Sequence, residues 1–184
     1  MFDWIIARGT VLDGSGREGA VLDLGLKDGK IAAIGDLSGA EGRRLDASGK
    51  TVAPGFIDIH RHGDLAMFRR GFGELELRQG LTTIINGNCG MSAAPFGPAY
   101  RDEILEYLSP VIGPSENCPS LRMADYLQAV QACRLPIHVG TLVGGGVLRS
   151  DLTGHLDRDL TDEEYRQLHK NMEQALSDGA LGVS

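Results

Sequence analysis

Val52-Ala53-Pro54-Gly55-Phe56-Ile57-Asp58-Ile59-His60-Arg61-His62 is the stretch that decides how this chain is organised. A Pro-Gly break is followed by an apolar run that ends on two histidines one residue apart. Side chains alternate along a strand, so His60 and His62 point the same way and bring two imidazole nitrogens to one place. Imidazole is the commonest protein ligand for zinc. The alternative is that the pair decorates a loop and binds nothing. A later cysteine, Cys89, weighs toward the metal.

The two sides of this stretch differ in texture. Before it the chain is rich in strands and turns. Met1 to Ile6 reads as a strand, and Val21 to Lys27 alternates apolar with polar or small residues. Asp28-Gly29 supplies a hairpin turn, Lys30 to Ile34 returns, and Leu45 to Val52 completes a small sheet. After it, short apolar strands alternate with helical periodicity, the pattern of βα units around a parallel sheet. Strands are predicted at 56–60, 81–85 and 137–142, with a fourth starting at Ala180. Helices are predicted at 74–79, 98–108 and 123–132, with Pro110, Gly113 and Pro114 ending the second. Thr161-Asp162-Glu163-Glu164 is a capping box that opens a last helix to Asp178. The run Gly144-Gly145-Gly146 reads as a loop.

Composition narrows the classes. The chain has 184 residues, 42% of them hydrophobic, and a net charge of -7. That charge argues against nucleic acid or an anionic membrane as a partner, since both need clustered Lys and Arg. No apolar run approaches the roughly 18 residues of a transmembrane helix. The N-terminus lacks the regions of a signal peptide. Cys89, Cys118 and Cys133 are odd in number and widely spaced, which argues against a disulfide framework and for a cytoplasmic location.

Val-Ala-Pro-Gly-Phe-Ile-Asp-x-His-x-His resembles the first barrel strand of the amidohydrolase superfamily. Gln79-Gly80-Leu81-Thr82-Thr83-Ile84-Ile85-Asn86-Gly87-Asn88-Cys89-Gly90 is similar to the D-aminoacylase (N-acyl-D-amino-acid deacylase) branch. So are Leu142-Val143-Gly144 with Leu148-Arg149, and the closing Gly179 to Ser184. The resemblance runs over essentially the whole chain. It departs from the family at Gly63, where an acidic residue or Ser is common, and at Gly144 to Gly146, where Gly-His-Gly is common. Both departures bear on substrate fit.

The resemblance implies an α/β fold: residues 1–54 as part of a small β-sandwich, and 55–184 as the first half of a (β/α)8 metal-dependent hydrolase barrel. Four strands are half of such a barrel, which needs about 250 residues. A half barrel exposes an edge strand and an apolar inner face. The expectation is therefore the N-terminal portion of a larger enzyme, completed by a C-terminal half that is another chain, cleaved off or absent.

Amide hydrolysis at neutral pH needs a strong nucleophile and an electrophile for the carbonyl oxygen. A divalent metal supplies both, lowering the pKa of bound water to about 7 and polarising the carbonyl. Imidazoles with a thiolate suit zinc. The family implies His60, His62 and Cys89 as metal ligands; by itself Cys89 reads equally well as an inert small hydrophobe. The family's general base, an aspartate, and two further histidines are expected beyond Ser184. Asp58 reads as a partner behind the ligands or as a strand-face residue. Arg149 and Asn88 are candidates for the substrate, Arg149 through a bidentate grip on its carboxylate. His138 reads first as a packed core residue and second as one lining the barrel interior, His155 and His169 as solvated, and Arg61, Arg69 and Arg70 as surface charges. The glycine run reads first as a flexible connection and second as a place where backbone amides approach a carboxylate.

The leading expectation is zinc-dependent deacylation of an N-acyl-D-amino acid. A dihydroorotase- or hydantoinase-like cyclic amidase is the alternative within enzymes. An inactive metal-binding or assembly fragment is the alternative outside them.

Overall fold

The computed structural model describes residues 1–114 and 122–184; Cys118 lies outside the described residues. The fold is α/β, and the chain divides into two compact units, Met1–Pro54 and Gly55–Ser184.

The first unit is a five-stranded sheet. Strand β1 (Trp4–Val11) pairs antiparallel with β2 (Ala20–Lys27), which pairs antiparallel with β3 (Lys30–Gly35). Asp28 and Gly29 turn the hairpin with φ of 52° and 72°, the left-handed pair that matches strand twist. The single strand expected over Leu45 to Val52 is instead two, β4 (Arg43–Asp46) and β5 (Thr51–Val52), both parallel to β1. A turn divides them: the Asp46 carboxylate accepts from the backbone and hydroxyl of Ser48, and Lys50 N donates to Ala47 O. Asx geometry competes here with the ladder.

The second unit holds a parallel three-stranded sheet, β6 (Phe56–Asp58), β7 (Leu81–Asn86) and β8 (His138–Thr141). The fourth strand is reduced to a parallel bridge between Val143 and Val183. The helices are α1 (Glu74–Arg78), α2 (Arg101–Ile112), α3 (Met123–Ala132), α4 (Gly145–Thr153) and α5 (Asp162–Ser177). The apolar faces of α2 to α5 meet in one core that includes Leu65, Met67, Phe96, Ile104, Leu105, Tyr126 and Leu148, whereas the leucines of α1 are exposed. Phe56, Ile57 and Ile59 are exposed, so the end of β6 that leads to the histidines is not part of that core.

Several expectations are corrected. Pro110 does not end α2, which runs two residues further. Pro110 has no N–H for the Glu106 carbonyl four residues back, and the Ser109 hydroxyl donates to that carbonyl instead at 2.9 Å. The glycine run is not a flexible loop: Gly145 and Gly146 open α4. A Cβ on Gly144 would lie 2.3 Å from the Gly90 carbonyl oxygen, and one on Gly146 would lie 2.9 Å from it. These glycines exist for close packing of backbone on backbone. His138 is exposed at the start of β8 and belongs to no core. The capping box on α5 is present, with Glu164 N donating to Thr161 Oγ1 at 3.3 Å and Thr161 N to Glu164 Oε2 at 2.9 Å.

Candidate metal centre

Strand β6 stops at Asp58, two residues short of the expected end. The Asp58 carboxylate accepts the His60 backbone N–H at 3.1 Å, which bends the chain out of the ladder. Both histidines therefore sit in a turn beyond the strand, with ring centroids 5.5 Å apart at 72°. Alternation along a strand is not what brings them together.

A second loop comes up beside them from the end of β7. Gly87 has φ +78°, and Cys89 itself takes a left-handed φ of 57°. This reversal turns Cys89 back over β6, leaving its Sγ 3.1 Å from His60 Nε2. His60, His62 and Cys89 each offer an atom such that all three lie within 4.8 Å of one another. Ligands bonded at about 2.0–2.3 Å to one ion lie no more than roughly 4.6 Å apart, so the cluster is close to a common centre as it stands. Two imidazoles and a thiol are also the right chemistry for zinc, and three protein ligands leave a position open. Among the described residues His62 Nδ1 is buried without a hydrogen-bond partner, a polar atom that a ligand would satisfy. Burial, and then the neighbouring His60, hold the His62 pKa below its usual value.

The two asparagines flanking Gly87 tie the loops together. Asn86 Oδ1 accepts from Gly63 N at 2.9 Å. Asn88 Nδ2 donates to Ile85 O at 2.9 Å and to Arg61 O at 3.3 Å. Asn88 is buried and its amide is committed to backbone. Arg149 likewise gives its guanidinium to the carbonyls of Leu156 and Arg158. Neither side chain is presented to the cluster as a free donor in these arrangements. The amides of the glycine run are also used, Gly144 N on Ser92 Oγ and Gly145 N on Ser184 O.

Sequence reading passed over four residues here. Asn86 was seen only as part of a motif. Glu76 pairs with Arg61 at 2.6 Å, so Arg61 is not a plain surface charge. The Ser184 hydroxyl donates to Gly87 O at 2.6 Å and accepts from Gly90 N at 3.1 Å, bracing the cysteine loop. Asp64 is fully buried, and neither carboxylate oxygen has a well-formed hydrogen bond among the described residues. Burial pushes its carboxyl up to about 7, although the backbone N–H groups of Asp64 and Gly87 pull the other way. Only the Asn-Gly-Asn spacing carried a signal, since glycine between two short amides marks a tight, hydrogen-bonded loop. A cleft of about 310 Å³ lies against Cys89, lined among others by Met91, Ile104, Tyr107, Val147 and His155. His155 Nε2 lies 3.4 Å from Glu103 Oε1.

No family model matches the chain. It is 41% identical to a D-aminoacylase of Alcaligenes xylosoxydans xylosoxydans over 184 residues, which is 100% of the chain and 37% of that protein. A crystal structure of a D-aminoacylase, described as defining a novel subset of amidohydrolases, superposes with a TM-score of 0.85 at 36% identity. It covers 100% of the chain, which spans 38% of it. The N-acyl-D-glutamate deacylase of Bordetella bronchiseptica, solved with zinc and a phosphonate mimic of the tetrahedral intermediate, also gives 0.85 at 36% identity, over 99% of the chain and 38% of that structure. The chain thus spans a little over a third of the relatives it matches.

Proposed function

From the premise that this chain is, along its whole length, a relative of the D-aminoacylases, we propose that it carries part of the metal centre of a zinc-dependent amidohydrolase. The substrate is an N-acyl-D-amino acid, and the products are a carboxylate and a free D-amino acid. The observation that carries this reading is the convergence of His60, His62 and Cys89 within 4.8 Å. Support for zinc comes from that donor set and from the zinc bound by the Bordetella bronchiseptica deacylase. The cyclic-amide alternative has less support, because a D-aminoacylase, an N-acyl-D-aspartate deacylase and an N-acyl-D-glutamate deacylase align over 99–100% of the chain, whereas two D-hydantoinases align over 36% of it.

Zinc held by these three residues would polarise the scissile carbonyl and acidify the attacking water. The chain's own part is to present lone pairs. Cys89 would bind the ion as a thiolate, and each imidazole would bind it through one ring nitrogen. The cleft beside Cys89 offers an apolar wall against which part of the substrate rests. The acid–base group is proposed to lie outside residues 1–184. Asp58 is engaged by His60 N and Arg61, and Asp64 is sealed at 0% exposure, so neither reaches a substrate. On the same reading, residues 1–54 form part of a β-sandwich and 55–184 the first half of a (β/α)8 barrel. A C-terminal half, on the same or another chain, completes both.

The test is Cys89→Ala in the intact protein, with zinc content and hydrolysis of N-acetyl-D-, N-acetyl-L- and cyclic amide substrates measured together. Loss of zinc and of D-selective turnover is expected. Survival of both would refute the assignment, and preference for the cyclic substrate would favour the alternative.

A further inference from the structure

Arg61 lies between the two histidines, where a guanidinium is an unfavourable neighbour for a divalent cation. Two carboxylates offset that charge. Its Nη2 donates to Glu76 Oε1 at 2.6 Å, and its Nη1 lies 3.8 Å from Asp58 Oδ2. Glu76 is 5% exposed on α1, so its carboxylate is buried and has Arg61 as its ion-pair partner among the described residues. Asp58 in turn uses its other oxygen on the His60 backbone N–H. The main chain of Arg61 is held as well, with its N–H on Ile85 O at 3.0 Å and its C=O on Asn88 Nδ2. The peptide that joins the two histidines is therefore anchored on β7, on the cysteine loop and, through the side chain, on α1.

We infer that the Arg61–Glu76 ion pair is a positioning device for the metal site, resting on the reading of His60, His62 and Cys89 as zinc ligands. It holds the His60–His62 turn in register with Cys89 and draws the Arg61 charge away from the cation. Removing either partner does two things. It removes the turn's side-chain anchor on α1, and it leaves a buried charge uncompensated or a guanidinium able to swing toward the ion. Groups behind metal ligands commonly change affinity by about 10- to 100-fold when altered.

The experiment compares the intact protein with Glu76→Gln, Arg61→Met and Arg61→Lys. Zinc affinity is measured by chelator competition, and the thiolate-to-cobalt charge-transfer band is recorded after cobalt substitution, both well below each variant's melting temperature. Glu76→Gln and Arg61→Met are expected to weaken zinc by about 10- to 100-fold and to shift or diminish the band. Arg61→Lys, which keeps a cation on the side chain that faces Glu76, is expected to stay nearer the unmodified protein than Arg61→Met. A simple structural role would lower the melting temperature and leave affinity and band unchanged in the folded variants, which overturns the inference. If Glu76→Gln does not fold, Arg61→Met against Arg61→Lys decides it by the same readouts. If the unmodified protein binds neither zinc nor cobalt, the underlying metal reading fails and the inference falls with it. Binding that is indifferent to all three changes overturns the inference alone.

Discussion

Replacing Gly87 with alanine probes how the cysteine loop is held. Gly87 has φ +78°, and a Cβ there would lie 2.0 Å from the Leu142 carbonyl oxygen and 2.8 Å from its carbonyl carbon. Two costs add. A non-glycine residue in the left-handed region costs about 1–2 kcal/mol, and forcing a methyl into packed backbone costs about 1–3 kcal/mol. The sum is about 2–5 kcal/mol. At roughly 2–4 °C per kcal/mol for a chain of this size, the melting temperature falls by about 4–20 °C. Gly71→Ala is the control: φ is similar at +81°, but the nearest atom to the new Cβ is the Glu74 carboxylate at 3.9 Å. Only the first cost applies, so its melting temperature falls by about half as much or less. Relief of the Gly87 clash must move Asn88 and Cys89, so zinc affinity falls in Gly87→Ala and holds in Gly71→Ala. Thermal melting by circular dichroism and chelator competition measure the two effects. Equal melting shifts for the two variants would refute the packing argument, and unchanged zinc binding in Gly87→Ala would refute its link to the metal site.

Two further predictions concern the scaffold. Arg158, followed by Thr161 N–H, holds the Glu164 carboxyl down at about 2 from its ordinary 4.5. A depressed carboxylate stabilises the fold above its unfolded pKa and loses that contribution as pH falls, here from about 4.5 toward about 2. Glu164→Gln should therefore lower the urea midpoint at pH 7, and the gap to the unmodified protein should close across that acid window; a gap independent of pH would contradict it. The buried Tyr126 hydroxyl donates to Asp64 O at 2.9 Å. Tyr126→Phe removes that donor and is expected to cost about 1 kcal/mol or somewhat more in urea denaturation, whereas a neutral change would mean that the Asp64 carbonyl is satisfied in some other way.

Much of the architecture was legible because its signals are local. The capping box needs only Thr161 and Glu164 three residues apart, and the β2–β3 hairpin needs only Asp28-Gly29 between alternating runs. Pro110 misled, because what carries α2 past it is a hydroxyl from Ser109, a side-chain rescue that propensity does not encode. Asn88 and Arg149 were legible as polar residues near the site, but not as residues whose donors are already committed to backbone carbonyls.

The sequence by itself carried the α/β texture, its change at Pro54-Gly55, and the paired histidines, which follow from periodicity, turn chemistry and donor type, properties of neighbours along the chain. Cys89 joined them as a candidate ligand only through the resemblance to the amidohydrolases. Only the tertiary structure decided how the three meet. His60 leaves its strand because Asp58 takes its backbone N–H, and Cys89 turns back through two left-handed residues braced by Ser184. The Gly144 to Gly146 run packs against Gly90, and Glu76 reaches Arg61 across fifteen residues. Apart from the Asp58–His60 bond, which is local, such contacts depend on which backbones can approach and which charges must be buried together, and these are not set by neighbours along the chain.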